Sequence, residues 1–158
     1  MKKVILSRAL IALIIVFILL LSYRIIDQNR LKHIQETLFD IQWPVALSNY
    51  TDDQIVQFLG EPKDTETADN DRVYLVYDHF RVLCTDKGTN RLYFGNIYIT
   101  DPDFELWRGK LRIGSSKTEV EQAYRGFRCE MDIYEDLYWY VGFIYDENDL
   151  VKGISLCH

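Results

Sequence analysis

Catalytic equipment is what this chain of 158 residues has least of. Its three cysteines, Cys84, Cys129 and Cys157, are far apart and form no CxxC, which excludes the usual zinc spacings. The three histidines, His33, His79 and His158, share no spacing that converges on a metal or activates a nucleophile. No glycine-rich phosphate loop occurs, and no basic-aromatic stripe of the kind that tracks nucleic acid. Basic residues are also scarce, with 18 Lys and Arg against 24 Asp and Glu. Three of them, Lys2, Lys3 and Arg8, belong to the first eight residues, so the remainder is more acidic still. Such a surface does not attract phosphate backbones or anionic headgroups; it suits a basic protein partner, and serves solubility equally well. These absences imply no cofactor, no metal, no nucleic acid and no enzyme.

What is present begins with an apolar run from Val4 to Tyr23, interrupted only by Ser7, Arg8 and Ser22. Twenty helical residues at about 1.5 Å each span the roughly 30 Å hydrocarbon layer of a bilayer. A cleaved signal peptide has the same basic start and apolar run. No small-x-small site follows, however, and no nearby cysteine could carry a lipid, so an uncleaved single span is the favoured reading. Lys and Arg are balanced across it, with Arg24, Arg30 and Lys32 on the far side. The short basic tail argues for a cytoplasmic N-terminus and a folded part on the extracytoplasmic side. Ile26, Leu31, Ile34, Leu38 and Ile41 then continue at loose helical spacing, as a stalk or as a first docked helix, until Trp43-Pro44.

Two short stretches after that share one design. Thr51-Asp-Asp-Gln54 and Ser116-Lys-Thr-Glu119 are both capping boxes, each followed by an apolar stripe: Ile55, Phe58 and Leu59, then Val120, Ala123 and Tyr124. A constant offset of 65 residues relates Thr51 to Ser116, Ile55 to Val120 and Leu59 to Tyr124. That offset points to an internal duplication. Strands are expected at 73–77, 80–84 and 92–100, and again at 137–141, 143–145 and 150–157, from their β-branched and aromatic residues. Lys63–Arg72 reads as a loop. The expected fold is α+β: two tandem repeats, each a helix plus a three-stranded antiparallel meander. The segments are an anchor at 1–24, a helical stalk at 25–46, and repeats at 47–103 and 104–158.

Gly114-Ser-Ser-Lys-Thr-Glu-Val-Glu121 opening a short helix, the aromatic Tyr138-Trp-Tyr140 strand and a last strand with Val151 and Ile154 resemble the SmpA/OmlA repeat. That repeat belongs to outer-membrane assembly lipoproteins and is related to the tandem β-lactamase-inhibitor-protein fold. The resemblance covers roughly 47–158. It implies helices on one face of a sheet, and a protein partner on the other face or its rim. A toxin-neutralising, immunity or inhibitor role follows as one expectation. An envelope assembly factor or a non-catalytic subunit of a membrane complex is its sibling.

Strand parity sets Leu137, Trp139, Val141 and Phe143 on one side and Tyr138 and Tyr140 on the other. Tyr138 and Tyr140, joined by Tyr74 and by Trp107, are the candidate protein-binding residues. The competing reading packs both faces, and parity alone does not choose. Cys129 and Cys157 are the preferred disulfide pair, with buried free thiols as the alternative. Ser116 is accounted for by its cap. The acidic clusters at 69–71, 101–103 and 146–149 lack the alternating ligands of a calcium loop. Asn49-Tyr-Thr51 matches a glycosylation acceptor, but Thr51 already has a capping role.

Overall fold

The computed structural model describes residues 2–34, 50–68, 72–86, 88, 91–137 and 139–157. The chain is mixed α+β, an N-terminal apolar helix followed by one eight-stranded antiparallel sheet with helices. Helix α1 runs unbroken from Lys2 to Ile34. It is the one described helix long and apolar enough to cross a membrane, over Leu10–Ile34. Residues 25–34 of the expected stalk are thus the end of α1, and Leu31 and Ile34 are buried in the core. Leu38, Ile41, Trp43, Pro44 and Asn49 lie outside the described residues.

Both capping boxes form. The Thr51 hydroxyl accepts from the Gln54 N–H and the Gln54 side chain accepts from the Thr51 N–H, opening α2 (Asp52–Leu59). Ser116 and Glu119 do the same for α3 (Lys117–Ala123). Each box contributes about 1 kcal/mol to a helix too short to stand alone. Tyr50 and Ile55 are both buried, as a residue before the cap and one at the fourth helical position should be. Gly60 ends α2 at φ +81°, in the left-handed region that glycine enters without strain.

The strands are β1 (Asp64–Thr67), β2 (Arg72–Val76), β3 (Phe80–Asp86), β4 (Leu92–Ile99), β5 (Cys129–Glu130), β6 (Ile133–Asp136), β7 (Trp139–Tyr145) and β8 (Val151–Cys157). Their order in the sheet is β1-β2-β3-β4-β8-β7-β6-β5. Four strands precede α3 and four follow it, and the two sets meet where β4 pairs with β8. Three strands per half was therefore too few. Asp64–Thr67 is an exposed edge strand, not a loop, and 137–145 holds one strand, not two. By position in the sheet β2 matches β6.

One face of the sheet is covered. A row of buried side chains crosses six strands along the register: Tyr134, Val141, Leu156, Ile97, Val82 and Leu75. Phe143, Ile154 and Ile99 form the next row on that side. Ile55 of α2, Val120 of α3, Leu31 and Ile34 of α1, and Phe104, Leu106 and Leu111 of the connecting segment join the same core.

Candidate functional site

The uncovered face is read directly from the register. Ile133, Gly142, Ser155, Tyr98 and Arg81 lie in one row, and Tyr140 faces Glu135 on one side and Cys157 on the other. Parity had predicted that Trp139, Val141 and Phe143 point away from Tyr140; those three are buried while Tyr140 is 51% exposed. Leu137 does not share their side, because it lies in the turn before β7 at φ +62° and is exposed. Tyr138 lies outside the described residues.

Two aromatic groups stand on this face, well separated. Tyr74 meets Tyr98 edge-on with ring centroids 5.6 Å apart, and the Arg81 guanidinium lies 5.1 Å from the Tyr74 ring. Glu66 on the edge strand accepts from Arg81 at 3.3 Å. Burial, and then Tyr98 beside it, push the Tyr74 hydroxyl above its ordinary pKa, so it stays neutral and remains a hydrogen-bond donor. Tyr140 is four strand spacings away, roughly 19 Å. Around it Arg128, Glu130, Met131, Ile133 and Glu135 line a shallow cavity of about 210 Å³. Met131 is 84% and Ile133 43% exposed, which makes this the most apolar open part of the sheet. Sequence reasoning missed both residues. The signal was the alternation Ile133-Tyr-Glu-Asp136, obscured because its two inward positions hold a tyrosine and an aspartate.

Trp107 is not on this face. Its indole N–H donates to Asp136 Oδ2 at 3.2 Å, and its ring packs against Trp139 on the covered side. There Asp136, fully buried, gathers the end of α1 onto the sheet. Arg30 donates to its Oδ1 at 3.1 Å and to its backbone carbonyl at 2.9 Å. Arg108 holds both carboxylate oxygens at 2.8 Å, a bidentate pair. Burial pushes the Asp136 carboxyl up, but the hydrogen bonds from Arg108 and Trp107 and the charges of Arg30 and Arg108 outweigh it. The net result is a carboxyl held below the usual range. One turn earlier on α1, Asp27 accepts from the Trp139 indole at 2.9 Å, and one turn later His33 donates to the Glu105 carbonyl at 2.7 Å.

Cys129 and Cys157 do not pair. They sit on β5 and β8, three strand spacings or roughly 14 Å apart, and a disulfide needs Cα atoms within about 7 Å. Cys84 is buried, and burial pushes its thiol up to about 12; Cys129 is exposed. Among the described residues no group of three His, Cys, Asp or Glu is placed to hold a metal ion.

No family model and no curated protein matches this chain. Among solved structures it is similar to YjgB, a DUF4309 family protein from Bacillus subtilis subsp. subtilis str. 168. That similarity is 11% identity and a TM-score of 0.46 over 82% of this chain and 95% of that one. It is also similar to an extracellular protein containing a SCP domain from Bacillus anthracis str. Ames. There the identity is 12% and the TM-score 0.49, over 74% of this chain and 48% of that one, so this chain spans about half of that protein's length.

Proposed function

We propose that this chain is a membrane-anchored protein-binding module that meets its partner with the uncovered sheet face. The observation that carries this is the exposed Met131–Ile133–Tyr140 surface on a rigid antiparallel sheet, with the second aromatic group, Tyr74 and Tyr98, on the same side. Such side chains gain by burial against another protein. Glu66 and Glu135 border them but are ion-paired to Arg81 and Arg128, so the face itself is mixed in charge, and it is the acidic excess of the whole chain that favours a basic partner. The two capping boxes at one offset, and two runs of four strands meeting at β4 and β8, support an origin by tandem duplication. They also support the resemblance to the SmpA/OmlA and β-lactamase-inhibitor-protein group, and through it the inhibitor or toxin-neutralising role. Replacing Tyr140 with a photo-crosslinking phenylalanine analogue in the native membrane is expected to give one discrete protein adduct. The same analogue at Gln122, on α3, is expected to give none. Equal adducts at both positions, or none at Tyr140, would remove the face from consideration.

In this reading α1 is retained as the anchor, with Lys2 and Lys3 in the cytoplasm and the folded part outside. Cys129 offers a test without any substitution, since it is exposed while Cys84 is buried and held protonated. A membrane-impermeant maleimide is expected to label Cys129 in intact cells. Labelling only after permeabilisation would place the fold on the inner side.

A further inference from the structure

The junction fixes how far the sheet stands from the bilayer. Side chains from Leu10 to Ile26 expose their apolar surface along α1, and the first acidic residue is Asp27. Asp27 already binds Trp139, and Arg30 already binds Asp136. At about 1.5 Å per residue, Asp27 lies roughly 6 Å beyond Tyr23. The headgroup layer on each side of the hydrocarbon is about 5–8 Å thick. No flexible spacer intervenes, because α1 is one continuous helix through both regions. With α1 taken as a span ending near Tyr23, the Asp27 and Arg30 contacts bring the end of the β6–β7 hairpin to headgroup depth. Asp136 and Trp139 face each other across its turn, and Leu137 follows Asp136 directly.

Leu137 is an odd occupant for a tight turn. It takes φ +62°, where Asn or Gly is usual, and leaves its side chain 43% exposed. A branched apolar residue there strains the backbone and adds nothing to the core. Water is a poor surrounding for it, but the hydrocarbon boundary is a good one.

We propose that the β6–β7 turn seats Leu137 in the interfacial layer of the bilayer that α1 spans, so that the sheet is held to the membrane at two points. This rests on α1 being a membrane span, and the test separates the two ideas. The full chain, with Cys129 and Cys157 changed to Ser, receives a single NBD fluorophore through Leu137→Cys or through Asn148→Cys. Asn148 lies in the turn at the opposite end of β7. Each protein is reconstituted into phosphatidylcholine vesicles with and without lipid nitroxide-labelled near the headgroup. NBD at 137 is expected to be quenched at least two-fold more than NBD at 148. A chain that does not float with the vesicles overturns both the span and the seat. A chain that floats with 137 unquenched, or with both positions quenched equally, overturns the seat alone. Leu137→Asn supplies the second measurement, with an unchanged or higher Tm expected in detergent. A lower Tm would assign Leu137 to the fold and end the proposal.

Discussion

Changing Asp136 to Ala lowers the stability of the folded part by about 3–5 kcal/mol, the cost of removing one partner from a buried ion pair. The size follows from what is left behind. The carboxylate is fully buried and takes hydrogen bonds from Arg30, Arg108 and Trp107, so its loss strands one guanidinium that is 9% exposed and another that is 29% exposed. Arg30 cannot reach water without moving, and Arg108 is only partly open to it. Arg30 belongs to α1 and would draw the helix off the sheet, while Arg108 would leave the Phe127 ring, which lies 4.2 Å from it. Thermal unfolding in detergent, followed by near-UV circular dichroism, measures the effect. The cause is checked by a triple variant, Asp136→Leu with Arg30→Met and Arg108→Met, which should recover much of the loss because no unpaired charge remains. A triple variant as unstable as Asp136→Ala would mean that the site is held by shape and not by charge.

The same carboxylate sets the acid limit. Its folded pKa is depressed, so the unfolded chain binds a proton that the folded one does not. The stabilisation is fully present above the unfolded carboxylate value of about 3.9 and is lost as pH falls below that, through the lower folded value. Wild-type protein therefore loses stability on acidification below about pH 4 more steeply than Asp136→Asn.

How much of this was legible beforehand depended on range. The caps were readable because Thr51 and Gln54, or Ser116 and Glu119, are three residues apart and each pair is its own explanation. The covered side of β7 was readable from alternation, as the burial of Trp139, Val141 and Phe143 shows. β1 was not, because Asp64-Thr-Glu-Thr67 is exposed throughout and an edge strand wet on both sides has no apolar alternation to display. Gly142 looked like a break but lies within β7, facing Ser155 across the pair. The junction was least visible. Arg30 and Asp136 are 106 positions apart, and an aspartate on the inward side of a strand reads as outward until its arginines are placed. For that reason Trp107 was assigned to an outer surface when its N–H had a buried acceptor.

Trp139 should be the most costly apolar residue to remove. Trp139→Ala is expected to destabilise by about 3–5 kcal/mol, because a ring only 1% exposed leaves a cavity that α1, Trp107 and the sheet cannot close together. Its indole also donates to Asp27, so part of the loss belongs to the helix junction and part to the core. Trp139→Phe separates them. It keeps much of the packing and removes the bond, and should cost on the order of 1–3 kcal/mol in the same thermal assay. Asp27→Ala tests the same bond from the other end. If bond and packing are distinct contributions, Asp27→Ala added to Trp139→Phe costs less than the two singly, since the bond can be lost only once. Full additivity would mean that Asp27 and Trp139 act independently, and that α1 is held to the sheet by Arg30 and the apolar contacts of Leu31 and Ile34.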